Sequence, residues 1–247
     1  VRLEAITFVV LTRNEEHAIA PMLSSLPVGC ERLVVDACSS DRTIWQARRA
    51  GARVIVRPWR NFVDARNFAL TQVRTPWLFM LDADERLDAR LGEALSALKP
   101  YALGYRCCRR NRFVGRVLHA GPWADEQLVR LVRTAAAQVV GRDGGTLHER
   151  LVVPGETPVL DGSIEHDSYP TLRRYWTKFD AYTSIEAAER PYRRRALWIA
   201  AMLLPFRVLW YVLRRGGWRD GWRGFFVAAM SACYPVVVQW KIWQRRR

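Results

Sequence analysis

Leu78-Phe79-Met80-Leu81-Asp82-Ala83-Asp84-Glu85 is an apolar run of strand length that ends in two carboxylates spaced i, i+2, with a third acid beside them. The apolar residues lead the chain into a core, and three acids at their end repel one another at the strand's tip. A divalent cation that prefers oxygen ligands would relieve that repulsion and could carry a diphosphate. Acids are also common in plain solvated turns, so the run has to be read with its neighbours.

Working outward, strand and helix signals alternate over residues 5–99. Residues 5–11 form an apolar, β-branched run. Asn14-Glu15-Glu16 then supplies a cap and first-turn acids for a helix to about Leu26. A short strand over 32–35 ends in Asp36. Ser39-Ser40-Asp41 caps a helix to Ala50, and Gly51 suits its end. A strand over 53–56, a helix over 62–73, the strand over 77–81 and a helix over 88–98 complete the series. Repeated β-α-β units predict an α/β domain with a mixed, mostly parallel sheet flanked by helices. Ligands in such sheets bind beyond the carboxyl ends of the strands. Thr12-Arg13-Asn14, Asp36 and Asp82-Ala83-Asp84 all fall there, so the acidic turn has company.

Residues 101–165 change character: short apolar runs over 103–106, 113–118, 128–132 and 151–153 alternate with Gly and Pro. These read as added strands and loops suited to acceptor binding. Residues 170–189 read as a helix in which Tyr175, Trp176, Phe179 and Tyr182 are packing residues.

The net charge of +15 is uneven. Residues 191–247 hold twelve Lys and Arg against Asp220 alone, and six of the eleven Trp, so the basic character belongs to an appendage. Within it, residues 196–213 are apolar apart from Pro205 and Arg207, and residues 225–238 are apolar or small. The first run is marginal and the second short against the ~20 residues a spanning helix needs. Arg and Trp bracketing apolar helices suit the headgroup region, and a polybasic face favours the anionic cytoplasmic leaflet. The expectation is two helices lying in or dipping into that leaflet, hence a peripheral or monotopic protein at the cytoplasmic face of the plasma membrane. A helical hairpin packed on the core is the alternative. Long apolar runs make a poor groove for phosphates, so no nucleic-acid partner is expected. Five cysteines at irregular spacing, with no CxxC pair, read as reduced thiols. The N-terminus enters a strand pattern at once, which predicts no secretory signal.

The chemistry narrows by exclusion. The first βα loop, residues 11–17, has no glycine, against a GxGxxG dinucleotide fold. A phosphatase that begins with DxD carries its nucleophile after the first strand, whereas this DxD follows the fourth. A nucleotide-sugar site remains. Asp36 could accept a hydrogen bond from a base N–H, and Arg66 could neutralise phosphate charge. Asp82 could hold a ribose hydroxyl or serve the metal, with Asp84 as the metal ligand. Such a cation, Mg2+ or Mn2+, would stabilise a departing nucleoside diphosphate.

Together, Val9-Val10-Leu11-Thr12-Arg13-Asn14-Glu15-Glu16, Leu33-Val34-Val35-Asp36-Ala37-Cys38-Ser39-Ser40-Asp41-Arg42-Thr43, Asp64-Ala65-Arg66-Asn67 and Asp82-Ala83-Asp84-Glu85-Arg86 resemble the family 2 glycosyltransferases. Leu147-His148-Glu149, Gly162-Ser163-Ile164-Glu165-His166 and Arg214-Arg215-Gly216-Gly217-Trp218-Arg219-Asp220-Gly221 are similar to the lipopolysaccharide-core β-glucosyltransferase branch. The resemblance covers nearly the whole chain. It implies a GT-A (Rossmann-like) domain over 1–190, with a nucleotide-sugar half at 1–99 and an acceptor half at 100–190, followed by the basic, Trp-rich helical tail at 191–247.

The resemblance also implies an inverting, metal-dependent transfer from a nucleotide-sugar donor, with UDP-glucose favoured, to a lipid-linked or glycan acceptor in envelope polysaccharide synthesis. Thr12, Glu15 and Asp36 would line the nucleobase pocket, with Asn14 beside them. Arg66 would meet the diphosphate, and Asp82 and Asp84 would serve ribose and metal. Cys38 departs from the pattern, standing where a glycine is usual. The catalytic acid lies in His119-Ala120-Gly121-Pro122-Trp123-Ala124-Asp125-Glu126: counting back from Arg130-Leu131 selects Glu126, counting forward from His119 selects Asp125. One of them would take the acceptor hydroxyl's proton. His148 and His166 could each be a third metal ligand or a structural hydrogen-bonder, and by the resemblance Glu149 would orient an acceptor hydroxyl. Outside this class, a catalytically silent carbohydrate- or lipid-binding module on the same scaffold is the alternative.

Overall fold

The computed structural model describes residues 1–124, 126–141, 149–193 and 195–246. The chain forms two compact units, one of residues 1–109 with 127–166, the other of residues 110–126 with 167–247. Residues 167–190 fall in the same unit as the C-terminal helices.

The elements follow in chain order. The first half runs β1 (Ile6–Thr12), α1 (Ile19–Ser24), β2 (Glu31–Asp36), α2 (Thr43–Arg49), β3 (Arg53–Val56), α3 (Phe62–Gln72), β4 (Trp77–Asp82), β5 (Glu85–Leu87) and α4 (Ala89–Ala97). Then come β6 (Gly104–Phe113), β7 (Arg116–Val117), β8 (Glu126–Arg133), β9 (Gln138–Val140), β10 (Arg150–Val152) and β11 (Val159–Tyr169). Three helices close the chain: α5 (Leu172–Glu189), α6 (Ala196–Leu209) and α7 (Gly221–Gln244).

Among the described residues, a nine-stranded sheet has the order β3-β2-β1-β4-β8-β6-β11-β5, with β7 paired to β6; β9 and β10 form a separate pair. β3, β2, β1 and β4 are parallel, whereas β8 joins β4 antiparallel. Alternation along β1 explains the layers, since successive strand residues point to opposite faces. Ile6, Phe8 and Val10 share one core with Ile19, Met22 and Leu23 of α1 and Leu91 and Leu95 of α4. Val9 joins the other, with Leu33, Leu78, Met80 and Ala69 of α3. Phe8 stacks on Phe79 across the β1–β4 pair at 5.1 Å between ring centroids. Both rings are fully buried, and truncating either to Ala would cost about 3–5 kcal/mol.

Side chains cap the starts of three helices. The Asn61 side chain accepts from the Asp64 amide, that of Asp88 from the Leu91 amide, and that of Thr171 from the Arg174 amide. The helix expected from Asn14 does not start there. Asn14 has a φ of 53°, its carboxamide oxygen accepts from the Ser40 amide at 2.9 Å, and α1 begins only at Ile19.

Among the described residues, three strands escaped the sequence reading: β5, β9 and β11. The chain turns after Asp82 directly into β5, which pairs antiparallel with β11, with Glu85 opposite His166. β11 also meets the start of α4: Ser163 Oγ donates to Asp88 Oδ2 at 2.6 Å. Gly162, with a φ of +90°, makes that approach possible, because a Cβ there would lie 2.2 Å from the Leu91 nitrogen.

In the second unit, Phe113, Leu118, Tyr175 and Val227 are buried together, with Trp123, Tyr169, Phe179 and Phe226 packed around them. Tyr175 and Phe179 are thus packing residues, as expected, while Trp176 is about half exposed. A π-helical turn over Trp210–Arg214 prolongs α6, and a 3-10 turn over Gly217–Asp220 leads into α7. The apolar stretches are therefore longer than composition suggested. Ala196–Arg214 spans 19 residues and Gly217–Gln244 spans 28, both long and apolar enough to cross a membrane by length and composition. All five cysteines are free thiols.

Candidate functional site

The parallel register brings three sequence motifs to one edge of the first unit. Thr12 at the end of β1 stands opposite Asp36 at the end of β2, and Leu11 stands opposite Asp82 at the end of β4. Thr12 Oγ1 donates to Asp36 Oδ2 at 2.7 Å. Ser39 donates its amide to Oδ1 and its hydroxyl to Oδ2, at 2.7 and 2.6 Å. Asp36 is fully buried, with three of the roughly four lone-pair positions of a carboxylate used.

Beyond these strand ends, the loops after β1 and β2 are laced together. The Asn14 amide donates to Ser39 Oγ at 2.8 Å, and the Glu15 amide to Thr43 Oγ1 at 2.8 Å. The Glu16 amide reaches Asp41 Oδ2 at 3.2 Å, and the Arg42 amide returns to Glu16 Oε2 at 3.0 Å. The two motifs are thus halves of one rigid double loop, in which each polar side chain satisfies a backbone group of the other. Cys38 sits in this loop with a φ of 56°. That left-handed conformation favours glycine, which accounts for the residue expected there.

The acidic turn is neutralised from within the protein. Arg66 of α3 is buried and donates from Nη2 to Asp82 Oδ1 at 2.8 Å and from Nε to Glu149 Oε1 at 2.6 Å. Arg130 of β8 pairs with Glu85 and lies 3.6 Å from Asp82 Oδ2. Glu85, fully buried, also accepts from Arg109 Nη1 at 3.1 Å and from the Asp82 amide at 3.0 Å. Burial opposes ionisation of Asp82, but Arg66 and then Arg130 outweigh it and hold the carboxyl well below the usual range. Asp82 and Glu149 raise the pKa of Arg66 against the opposing effect of its burial. The expected repulsion among three acids is therefore met for Asp82 and Glu85 by arginines, a network that apolar-run arithmetic could not reveal. Asp84 Oδ1 lies 3.4 Å from His166 Nε2, both side chains being about one-eighth exposed.

Asp84 and His166 offer one oxygen and one nitrogen donor to a cation. Among the described residues, no group of three or more His, Cys, Asp or Glu is arranged to hold a metal ion. His148 lies outside the described residues, as does Asp125. Glu149, expected to orient an acceptor hydroxyl, accepts from Arg66 Nε through Oε1.

In the second unit, Glu126 opens β8 and its Oε2 accepts from Asn111 Nδ2 at 3.3 Å. Asn111 is buried and also donates to the Trp123 carbonyl at 2.7 Å. Asn111 was not a candidate in the sequence; only a long-range contact marks it.

Residues 7–118 match the family model for glycosyl transferase family 2. An uncharacterized glycosyltransferase of Rickettsia conorii is 32% identical over 202 residues, covering 75% of this chain and 70% of that protein. The chain belongs to glycosyltransferase family 2. This glycosyltransferase is also similar to the lipopolysaccharide core biosynthesis glycosyltransferase LpsC of Rhizobium meliloti, 29% identical over 261 residues, which are 96% of this chain and 91% of that protein. Among solved structures, the mannosyltransferase PcManGT from Pyrobaculum calidifontis, in complex with GDP-Man and Mn2+, matches with a TM-score of 0.53 at 15% identity, over 98% of this chain and 88% of that one. The likeness shows the fold: a GT-A sheet with flanking helices.

Proposed function

We propose that this glycosyltransferase moves a hexose, with inversion, from a nucleoside-diphosphate sugar to a lipid-linked glycan acceptor in lipopolysaccharide-core assembly. The observation that carries the reading is the register that sets Thr12, Asp36 and Asp82 at one edge of the parallel strands. Ligands of such sheets bind at that edge, and the similarity to LpsC supports the acceptor class. UDP-glucose is the proposed donor.

In this reading the double loop of residues 12–16 and 37–43 receives the nucleobase. Thr12, Asn14, Glu15 and Asp36 act there, chiefly by fixing the loop's shape. Arg66, Asp82 and Arg130 form a preset charge frame for ribose and diphosphate, which needs no reorganisation during reaction. Asp84, with His166, would hold a Mg2+ or Mn2+ ion, and Asp82 would support it. An O,N pair suits Mn2+ better than Mg2+, and such cations complete their shells with phosphate oxygens and water. When bound, the cation neutralises charge on the leaving diphosphate. Glu126 or Asp125 takes the proton of the acceptor hydroxyl, whose oxygen bonds to the anomeric carbon as the bond to the diphosphate breaks.

The second unit supports attachment to the cytoplasmic leaflet. On α6 and the π-helical turn that prolongs it, Trp198, Met202, Phe206, Leu209 and Leu213 are all exposed, an apolar stripe at helical spacing. α7 is not free to enter lipid on all sides, because Lys241 of α7 donates to Asp180, Thr183 and Ser184 of the polar helix α5. Arg207 within α6 also disfavours a span. We therefore propose a monotopic seat, with α6 in the interface and Arg side chains at the anionic headgroups.

The test is nucleotide release by the full chain from UDP-glucose, UDP-GlcNAc and GDP-mannose, each with Mn2+ or Mg2+ and a detergent-extracted rough lipopolysaccharide acceptor. Release from one donor, dependent on acceptor, is expected. No release from any donor would favour the catalytically silent binding module.

A further inference from the structure

We infer that Asp220, in the turn between the two C-terminal helices, is a positioning residue for the acid-bearing loop 119–126. The inference rests on the glycosyltransferase reading above, in which that loop supplies the base.

The loop contains Gly121-Pro122, and its residues 119–124 follow β7 and precede β8. Its amide groups must find acceptors elsewhere, and they find them about a hundred residues further along the chain. Asp220 Oδ2 accepts the amides of both His119 and Ala120, at 3.0 and 2.9 Å, and Oδ1 takes a second bond from His119 at 3.1 Å. The next amide, that of Gly121, donates to the Arg215 carbonyl at 2.7 Å. Three successive loop amides are therefore bound by the short segment 215–220, two of them through a carboxylate, whose hydrogen bonds are stronger than neutral ones.

The turn itself is built for close approach. A Cβ on Gly224 would lie 1.8 Å from the Gly217 carbonyl oxygen, so α7 can start against the turn only with glycine there. Arg223, on the first turn of α7, donates from Nε and Nη2 to the Val114 carbonyl at 3.2 and 3.0 Å. That carbonyl belongs to the β6–β7 hairpin leading into the loop. From the other side, Asn111 grips Trp123 and Glu126. The loop is thus fixed at its start by Asp220 and at its acid by Asn111. A base displaced by about 1 Å can lose on the order of 10²-fold in rate, so the C-terminal hairpin serves the chemistry as well as the proposed attachment.

The experiment compares full-length wild type with Asp220→Ala and Asp220→Asn, using UDP-glucose, Mn2+ and rough lipopolysaccharide in detergent. Asn keeps a carbonyl oxygen able to accept both amides, and is close enough in shape to fold if Ala does not. Expected are a kcat at least ten-fold lower in Asp220→Ala, a KM for UDP-glucose within two-fold of wild type, unchanged vesicle flotation, and a kcat for Asp220→Asn recovering to within three-fold of wild type. A kcat for Asp220→Ala within two-fold of wild type overturns the inference. So does a loss shared equally by kcat, donor affinity and flotation, or an Asp220→Asn variant as slow as Ala. Glu126→Gln and Asp125→Asn separate the two levels. If both keep wild-type turnover, or if wild type itself has none, the base assignment or the enzyme reading fails and takes the inference with it. If one of them is crippled while Asp220→Ala is not, the inference alone fails.

Discussion

Glu85 and Arg130 form a buried ion pair immediately after the DxD turn, and Arg109 joins Glu85 from the neighbouring strand region. Removing the carboxylate leaves two arginines without their shared partner. Breaking such a pair from one side costs about 3–5 kcal/mol. Glu85→Ala is therefore expected to lower Tm by many degrees and to reduce soluble yield, measured by thermal unfolding of the detergent-solubilised chain. A Tm like that of wild type would show that the pair does not stabilise the turn.

Asp82 links stability to acid. Burial opposes its charge, yet Arg66 and Arg130 hold its folded pKa below the ordinary carboxylate value, which is about 3.9. A depressed pKa contributes stability that is fully present above the unfolded value and is lost as pH falls below it toward the folded one. Asp82→Asn should accordingly lower Tm at pH 7 and lower it less at pH 3. An equal difference at both pH values would mean that the ion pairs add nothing.

Val114 and Gly115 form the two-residue turn between β6 and β7, with φ values of 47° and 77°. Such a turn favours Asn-Gly, and a β-branched residue at positive φ is strained. Val114→Asn should stabilise the chain by about 0.5–1 kcal/mol net, since relief of ~1–2 kcal/mol of left-handed strain is partly offset by lost contact of the half-buried Val114 side chain. A small rise in Tm would register this; a fall would show that packing dominates.

The proposed seat on the membrane depends on the stripe of α6. Trp198 and Phe206 are each about 70% exposed, and burying a large apolar side chain is worth roughly 1.5–3 kcal/mol. Trp198→Ser with Phe206→Ser should cut partition into vesicles containing phosphatidylglycerol at least ten-fold, read by flotation. Undiminished flotation would remove α6 as the inserted element.

Much of the first unit was legible because its signals are local. The β-branched run of β1 and Gly51 after α2, with a φ of 79°, act within a few residues. Misreadings came where a side chain acts at a distance. Asn14 looked like a helix cap, but its carboxamide is used by Ser40. Glu85-Arg86-Leu87 looked like the tail of a turn, and becomes a strand only through pairing with β11. In the site, the acids of the DxD turn were visible, but their arginine partners come from α3, β6 and β8, which no spacing rule connects. The hold of Asp220 on residues 119 and 120 was equally invisible, although the segment containing it stood out as a motif.

The most direct test of the nucleotide-sugar site is turnover by Asp84→Asn, at matched protein and Mn2+ concentrations with UDP-glucose and rough lipopolysaccharide. Asn matches Asp in size and keeps a carbonyl oxygen that accepts hydrogen bonds, so the fold should survive, with Tm measured alongside as the control. The account predicts a fall in kcat of about 10²-fold or more, the scale for removing one preorganised charge-stabilising group. Turnover equal to wild type, with the same Mn2+ dependence, would contradict it.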